Sequence, residues 1–282
     1  MARVALPQSK LKARRRKRRL VVLASLMFVL LLAAAGLVAL CWAPFMRIQG
    51  IDVAGVSSAN PDAVVQEVRG AIAGAYWGLF PRDNIFLYPK DEIRAGLMAR
   101  HAAFGSVALS REGFSALRVD VVERAPKALW CGESAADHTP CLTLDENGAA
   151  YALAPDFSGS IYMRYAGQLP QGPLPRQFLA PDRFRALSAL ADELSRRLSS
   201  TTITLVSVED GTEARVDTAS GFIVSFSLDD SGADVLERLN LALSSQPFRE
   251  HALSDFEYLD LRFGDKLYYK LRKEKEESSQ EE

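Results

Sequence analysis

Histidine and cysteine are scarce, with three of each in 282 residues. His101, His138 and His251 lie far apart in sequence, and none forms a nucleophile–base pattern with its neighbours. One arrangement for enzyme chemistry remains, a cysteine transpeptidase with Cys141 as nucleophile and His101 or His138 as its base. Cys131, ten residues upstream of Cys141, offers a disulfide as the competing use. A zinc site at these cysteines would need more ligands, and only His138 is near. No glycine-rich loop leads into a helix carrying Lys-Ser or Lys-Thr, so the phosphate cradle of nucleotide-binding proteins is missing. These gaps predict a chain with no catalytic centre, no cofactor, no metal and no small-molecule substrate.

Basic charge is also scarce once the first residues are set aside. The formal net charge is −1, but residues 1–19 hold nine Lys and Arg and no acid. The rest therefore has 25 basic against 35 acidic groups. A nucleic-acid binder carries its basic surface on the folded part, so nucleic acid is excluded as a partner. An uncharged run from Leu20 to Leu40 comes directly after the basic segment (1–19). At roughly 1.5 Å per residue it spans about 30 Å, the thickness of a hydrocarbon core. A cleaved signal peptide is the competing reading, but the run is long for one, and Trp42 stands where an interfacial aromatic belongs. A membrane helix over 20–42 is predicted, with the N-terminus cytoplasmic because the basic residues precede it and only Arg47 closely follows. Cys41 then sits at the end of the span, and Cys131 and Cys141 lie outside, where disulfides persist. A Cys131–Cys141 bridge is expected, pinning the junction between two external domains.

Periodicity predicts an α+β fold. Ile48 to Gly55 alternates like a strand. Asn60-Pro61 gives an N-cap followed by proline at the first helical position, and Val64, Val65, Val68 and Ile72 recur at helical spacing. Residues 74–88, rich in glycine and aromatics, read as loop. A second helix is expected from Asp91 to Arg100, with Ile93 and Leu97 on one side. Two strands then meet at Glu112-Gly113, and Leu117, Val119 and Val121 alternate along the second. Beyond Trp130 come a hairpin over 142–151 turning at Asn147-Gly148, a proline-rich loop with a short strand at 161–165, and a helix from Pro181 to Leu198. Strands at 202–209, 213–217 and 221–227, a helix over 233–244 and a final pair, Phe256–Phe263 and Lys266–Leu271, complete the second domain. The acidic tail, 273–282, cannot bury anything and is expected to be disordered.

Several short segments carry a family resemblance. Ile51-x-Val53-x-Gly55, Asn84-Ile85-Phe86, Ser110-Arg111, Glu123-Arg124-x-Pro126 and the preceding alternating strand resemble the POTRA domain of bacterial cell-division proteins of the FtsQ/DivIB type. Tyr258-x-Asp260-Leu261-Arg262-Phe263 resembles the signature near the C-terminus of the same family. The resemblance implies a β-α-α-β-β POTRA domain over 47–126 and an FtsQ-like β domain with two helices over 127–272. It implies a non-enzymatic, single-pass inner-membrane scaffold at the division septum, linking early and late division proteins. It also implies partners resembling FtsB and FtsL, bound by strand addition at the final sheet edge, and other septal proteins at the POTRA domain. Lys266–Leu271 is the last strand, so it is the expected edge. The residues assigned to partner binding are Arg262, Phe263, Lys266, Leu267, Tyr268, Tyr269, Lys270 and Leu271. An alternative is a POTRA-containing component of a secretion or envelope-assembly system. Such chains generally continue into a β-barrel, for which this sequence leaves no room.

Overall fold

The computed structural model describes residues 8–134, 140–155, 161–264 and 266–272. His138, Asp265 and the acidic tail lie outside the described residues. The chain divides into two compact units, Met1–Glu123 and Arg124–Glu282. The division falls slightly before the expected one, because Arg124 already pairs with Asp145 of the second unit.

The first unit opens with helix α1, Gln8–Cys41. It starts inside the basic segment rather than at Leu20, since Lys, Arg and Ala favour helix and no glycine or proline interrupts them. The part from Arg14 to Cys41 is long and apolar enough to cross a membrane, and its most apolar window is not buried against protein. A short 3-10 turn, Pro44–Met46, leads into strand β1, Gly50–Ala54. Helix α2, Pro61–Ala71, is capped by Asn60, whose side chain accepts a hydrogen bond from the Asp62 N–H at 2.9 Å. The stretch expected to be loop holds a small hairpin, β2 (Ala75–Tyr76) and β3 (Phe80–Pro81). Two paired residues per strand are too few to show any periodicity, which is why pattern reading passes over it. Helix α3, Lys90–Arg100, precedes β4, Phe104–Glu112, and β5, Ala116–Glu123.

The sheet order is β1-β5-β4, with β1 parallel and β4 antiparallel to the central strand. Val64 and Val68 of α2, Ile93 and Leu97 of α3, and Leu117, Val119 and Val121 of β5 share one core. Each such side chain contributes about 1.5–3 kcal/mol on burial. Gly55 ends β1 at φ +82°, and a Cβ there would lie 2.0 Å from the Val121 carbonyl oxygen. Only glycine fits, which accounts for its place in the Ile51-x-Val53-x-Gly55 segment.

In the second unit the strands are β6 (Ala128–Trp130), β7 (Leu142–Leu144), β8 (Ala149–Leu153), β9 (Arg164–Gly167) and β10 (Arg176–Gln177). Helix α4, Pro181–Arg197, comes next, then β11 (Ile203–Glu209), β12 (Glu213–Thr218) and β13 (Ile223–Ser227). Helix α5, Gly232–Ser244, is capped by the Ser231 hydroxyl, which accepts from the Asp234 N–H at 3.2 Å. A third helix, α6 (Gln246–Glu250), lies just beyond it, so the domain has more than the two helices expected. It is separated from α5 only by Ser245, and Pro247 starts its first turn. Strands β14 (Phe256–Phe263) and β15 (Lys266–Leu271) complete the unit.

Among the described residues ten strands form one mixed sheet in the order β10-β8-β7-β6-β9-β11-β12-β13-β14-β15. Phe184, Leu187, Leu190 and Leu194 of α4, and Val235 and Leu239 of α5, share a core with alternate residues of β11 to β14. The strand expected at 161–165 sits later, because Ile161 is exposed while Tyr165 and Ala166 are fully buried. β6 escapes alternation because all three of its residues are buried. Cys131 and Cys141 are joined by a disulfide, with their Cα atoms 4.2 Å apart. It lies where β6 leads towards β7, inside the second unit, and not at the junction between units. The reason is local: the antiparallel pair Trp130–Leu142 brings the two adjoining cysteines together.

Candidate partner-binding edge

Among the described residues β15 is the last strand of the ten and pairs only with β14, which leaves its other side as an open edge there. The register pairs Phe256 with Leu271, Tyr258 with Lys270, Leu259 with Tyr269, Asp260 with Tyr268, and Phe263 with Lys266. The Arg272 N–H donates to the Asp255 carbonyl at 2.8 Å, which fixes the phase of the ladder. Counting back by strand alternation, Lys270 and Tyr268 turn their backbone groups toward β14. Leu271, Tyr269 and Leu267 therefore turn theirs outward. An added strand would find three residues of donors and acceptors in a row.

The side chains divide between two faces. Leu267 packs against the core, and the Tyr269 ring lies edge-on to Phe248 at 5.5 Å and Phe256 at 5.9 Å. On the opposite face Tyr268 meets Phe263 edge-on at 5.2 Å, and the Lys270 ammonium pairs with Glu257 at 2.6 Å. That bond and its charge raise the Lys270 pKa. Phe263, Tyr268, Tyr269 and Leu271 are nonetheless 38–55% exposed, which leaves an apolar margin along an edge without β-pairing. Lys266 is exposed near the start of the strand.

Arg262 sits differently. Its guanidinium donates to Asp260 and Glu213, and its backbone N–H donates to the Asp260 carboxylate at 3.1 Å. The Asp260 hydrogen bond is the main cause of a raised Arg262 pKa. Burial pushes the Asp260 carboxyl up, but the hydrogen bonds and charge of Arg262 outweigh it and hold it below its usual value. Arg262 thus clamps β14 to the beginning of β12, which is a supporting role for the edge.

One contributor escaped the sequence reading. Leu241 on α5 is 60% exposed and, with Leu267, Gly264, Asp234, Glu237 and Arg238, lines a groove beside β15. Its signal was an apolar residue off the buried stripe of α5. Elsewhere, His101 lies stacked on Phe104 at 4.5 Å and within 3.1 Å of Glu67, in the first unit. Cys141 is in the second unit and bonded to Cys131. Among the described residues no group of three or more His, Cys, Asp or Glu could hold a metal ion. The chain matches no protein-family model and no curated protein sequence.

Proposed function

We propose that this chain is a single-pass scaffold of bacterial cell division, resembling the FtsQ/DivIB type. α1 anchors it in the inner membrane, with the basic end in the cytoplasm and both folded units outside, at the septum. The first unit acts as a POTRA-type docking module for other septal proteins. The second holds partners resembling FtsB and FtsL, and the protein performs no chemistry of its own. The observation that carries this reading is the open edge of β15, with outward backbone groups at Leu267, Tyr269 and Leu271 beside an exposed apolar margin.

Two further observations support it. The β-α-α-β-β order of the first unit, interrupted only by the β2–β3 hairpin, is the order the resemblance implies. A disulfide at Cys141 leaves no thiolate there for a transpeptidase. The proposal is tested by isolating the full chain from its host membranes and identifying what comes with it. Small single-span coiled-coil proteins should copurify. Ending the chain after Arg272 should retain them, and ending it after Gly264 should lose them and stop division. A full chain that carries no such proteins, or keeps them without β15, contradicts the reading.

A further inference from the structure

The first unit carries an apolar surface that its own core does not use. The β2–β3 hairpin turns through Trp77 and Gly78, both at positive φ, +50° and +72°. Glycine adopts that conformation freely, but for tryptophan it is strained. Trp77 is nevertheless 88% exposed, so the strain places a large apolar ring in the open. Leu79, Phe86 and Leu87 are exposed within ten residues of Trp77, at 39–52%, and Phe45 is 56% exposed in the turn that follows α1. Trp77, Phe80, Phe86 and Leu87 line one concavity together with Leu37 and Leu40 of α1.

The hairpin is tied to the helix end. The Trp42 indole N–H donates to the Leu79 carbonyl at 2.8 Å. The Asn84 amide donates to the Cys41 carbonyl at 3.0 Å, and the Ile85 N–H donates to the Met46 carbonyl at 2.8 Å. Arg47 pairs with Asp83 at 2.6 Å. These bonds hold the aromatic residues level with the last turn of α1, since Leu37 lies only about one turn, roughly 5 Å, before Cys41.

We infer that the Trp77 hairpin, with Phe45, Phe86 and Leu87, is a second membrane contact seated in the lipid interface around the C-terminal end of α1. The inference rests on α1 being a membrane anchor. Its occupant is the bilayer, because Leu37 and Leu40 line the same concavity and a bilayer crossed by α1 must reach them. Tryptophan and phenylalanine are the side chains that favour this depth. Charge has the smaller part in it: Arg47 and Arg82, stacked on Trp42 and Tyr76, are already paired with Asp83 and Glu92, and Arg111 stacks on Phe86. The contact would fix how the first unit sits on the membrane surface.

The test uses the full chain in phosphatidylcholine nanodiscs, with lipids brominated near the headgroup as quenchers. Trp130→Phe removes the reporter in the second unit, Trp42 is kept because its indole holds the Leu79 carbonyl, and Trp77 is read as the difference from the same protein with Trp77→Phe. If Trp130→Phe unfolds the second unit, Trp130 is kept as well and the same difference is read. A separate protein with all three tryptophans replaced and Phe28→Trp, read with lipids brominated near the ends of their acyl chains because Phe28 lies near the middle of the apolar run, reports on the anchor. Trp77 should emit at shorter wavelength than an exposed indole and lose most of its emission to brominated lipid, with no need for anionic lipid. Quenching at Phe28→Trp with none at Trp77 overturns the hairpin contact and leaves the anchor standing, whether Trp77 then faces water or another protein. Quenching at neither overturns both.

Discussion

Glu123 shows how much one side chain can hold in place. It lies at the end of β5, and its carboxylate accepts hydrogen bonds from the backbone N–H groups of Ser57 and Ser58, at 2.8 and 2.7 Å. Both serine hydroxyls donate to it as well. Burial alone would raise its pKa, but the four donors outweigh burial and bring it from 4.5 to about 2. A depressed carboxylate stabilises the fold at pH values above its unfolded pKa, and that contribution fades as pH falls toward the folded one. Glu123→Gln should therefore destabilise the first unit by about 1–2 kcal/mol near neutral pH, an amount reduced by partial exposure. The difference from wild type should shrink between pH 4.5 and about 2. Thermal melts of both proteins across that range check it, and a constant gap would refute the assignment. The Glu123-Arg124 pair was visible in the sequence, but its division of labour was not. Glu123 binds a loop distant in sequence, while Arg124 faces the buried Asp145, and spacing reveals neither partner.

At the scale of elements, the edge makes a sharp distinction between neighbouring residues. Tyr269→Pro removes an outward donor and leaves the β14 ladder intact, whereas Tyr268→Pro removes an inward one. Tyr269→Pro should weaken partner binding by about 1–3 kcal/mol while the unit stays folded. Tyr268→Pro should destabilise the unit itself by about 3 kcal/mol. Tyr269→Ala separates the roles of ring and donor: it loses the contact with Phe248 but should bind better than Tyr269→Pro. Binding assays with parallel melts decide, and equal effects of the two prolines would rule out strand addition.

The elements that were legible in the sequence are those with several turns or alternations. α2, α4, α5, β5 and β11 to β13 were found close to their true bounds because one face of each is buried and the other is not, whereas β14 and β15 were found from the break at Gly264 between two runs rich in β-forming residues. β6 is buried throughout and β10 is two residues long, so neither produces a pattern. The place of the candidate site was readable from chain order, since β15 comes last. Which backbone groups face outward required the register, and Leu241 required knowing which face of α5 turns away from the core.

For the whole molecule, membrane topology comes first. Alkaline phosphatase fused after Thr218 should be active and the same enzyme fused after Arg19 inactive, because the basic residues precede the apolar run of α1. Low activity after Thr218, or a mature N-terminus near residue 40, would contradict an N-in anchor. The central claim is that a partner strand extends the sheet at β15, and residue-resolved amide hydrogen exchange on the full chain in nanodiscs tests it most directly. Without partner, Tyr268 and Lys270 should be protected and Leu267, Tyr269 and Leu271 should exchange fast. With the copurifying coiled-coil protein bound, the three fast amides should slow by about tenfold or more, as ladder bonds form. A bound partner that leaves Leu267, Tyr269 and Leu271 exchanging as fast as before would contradict the account.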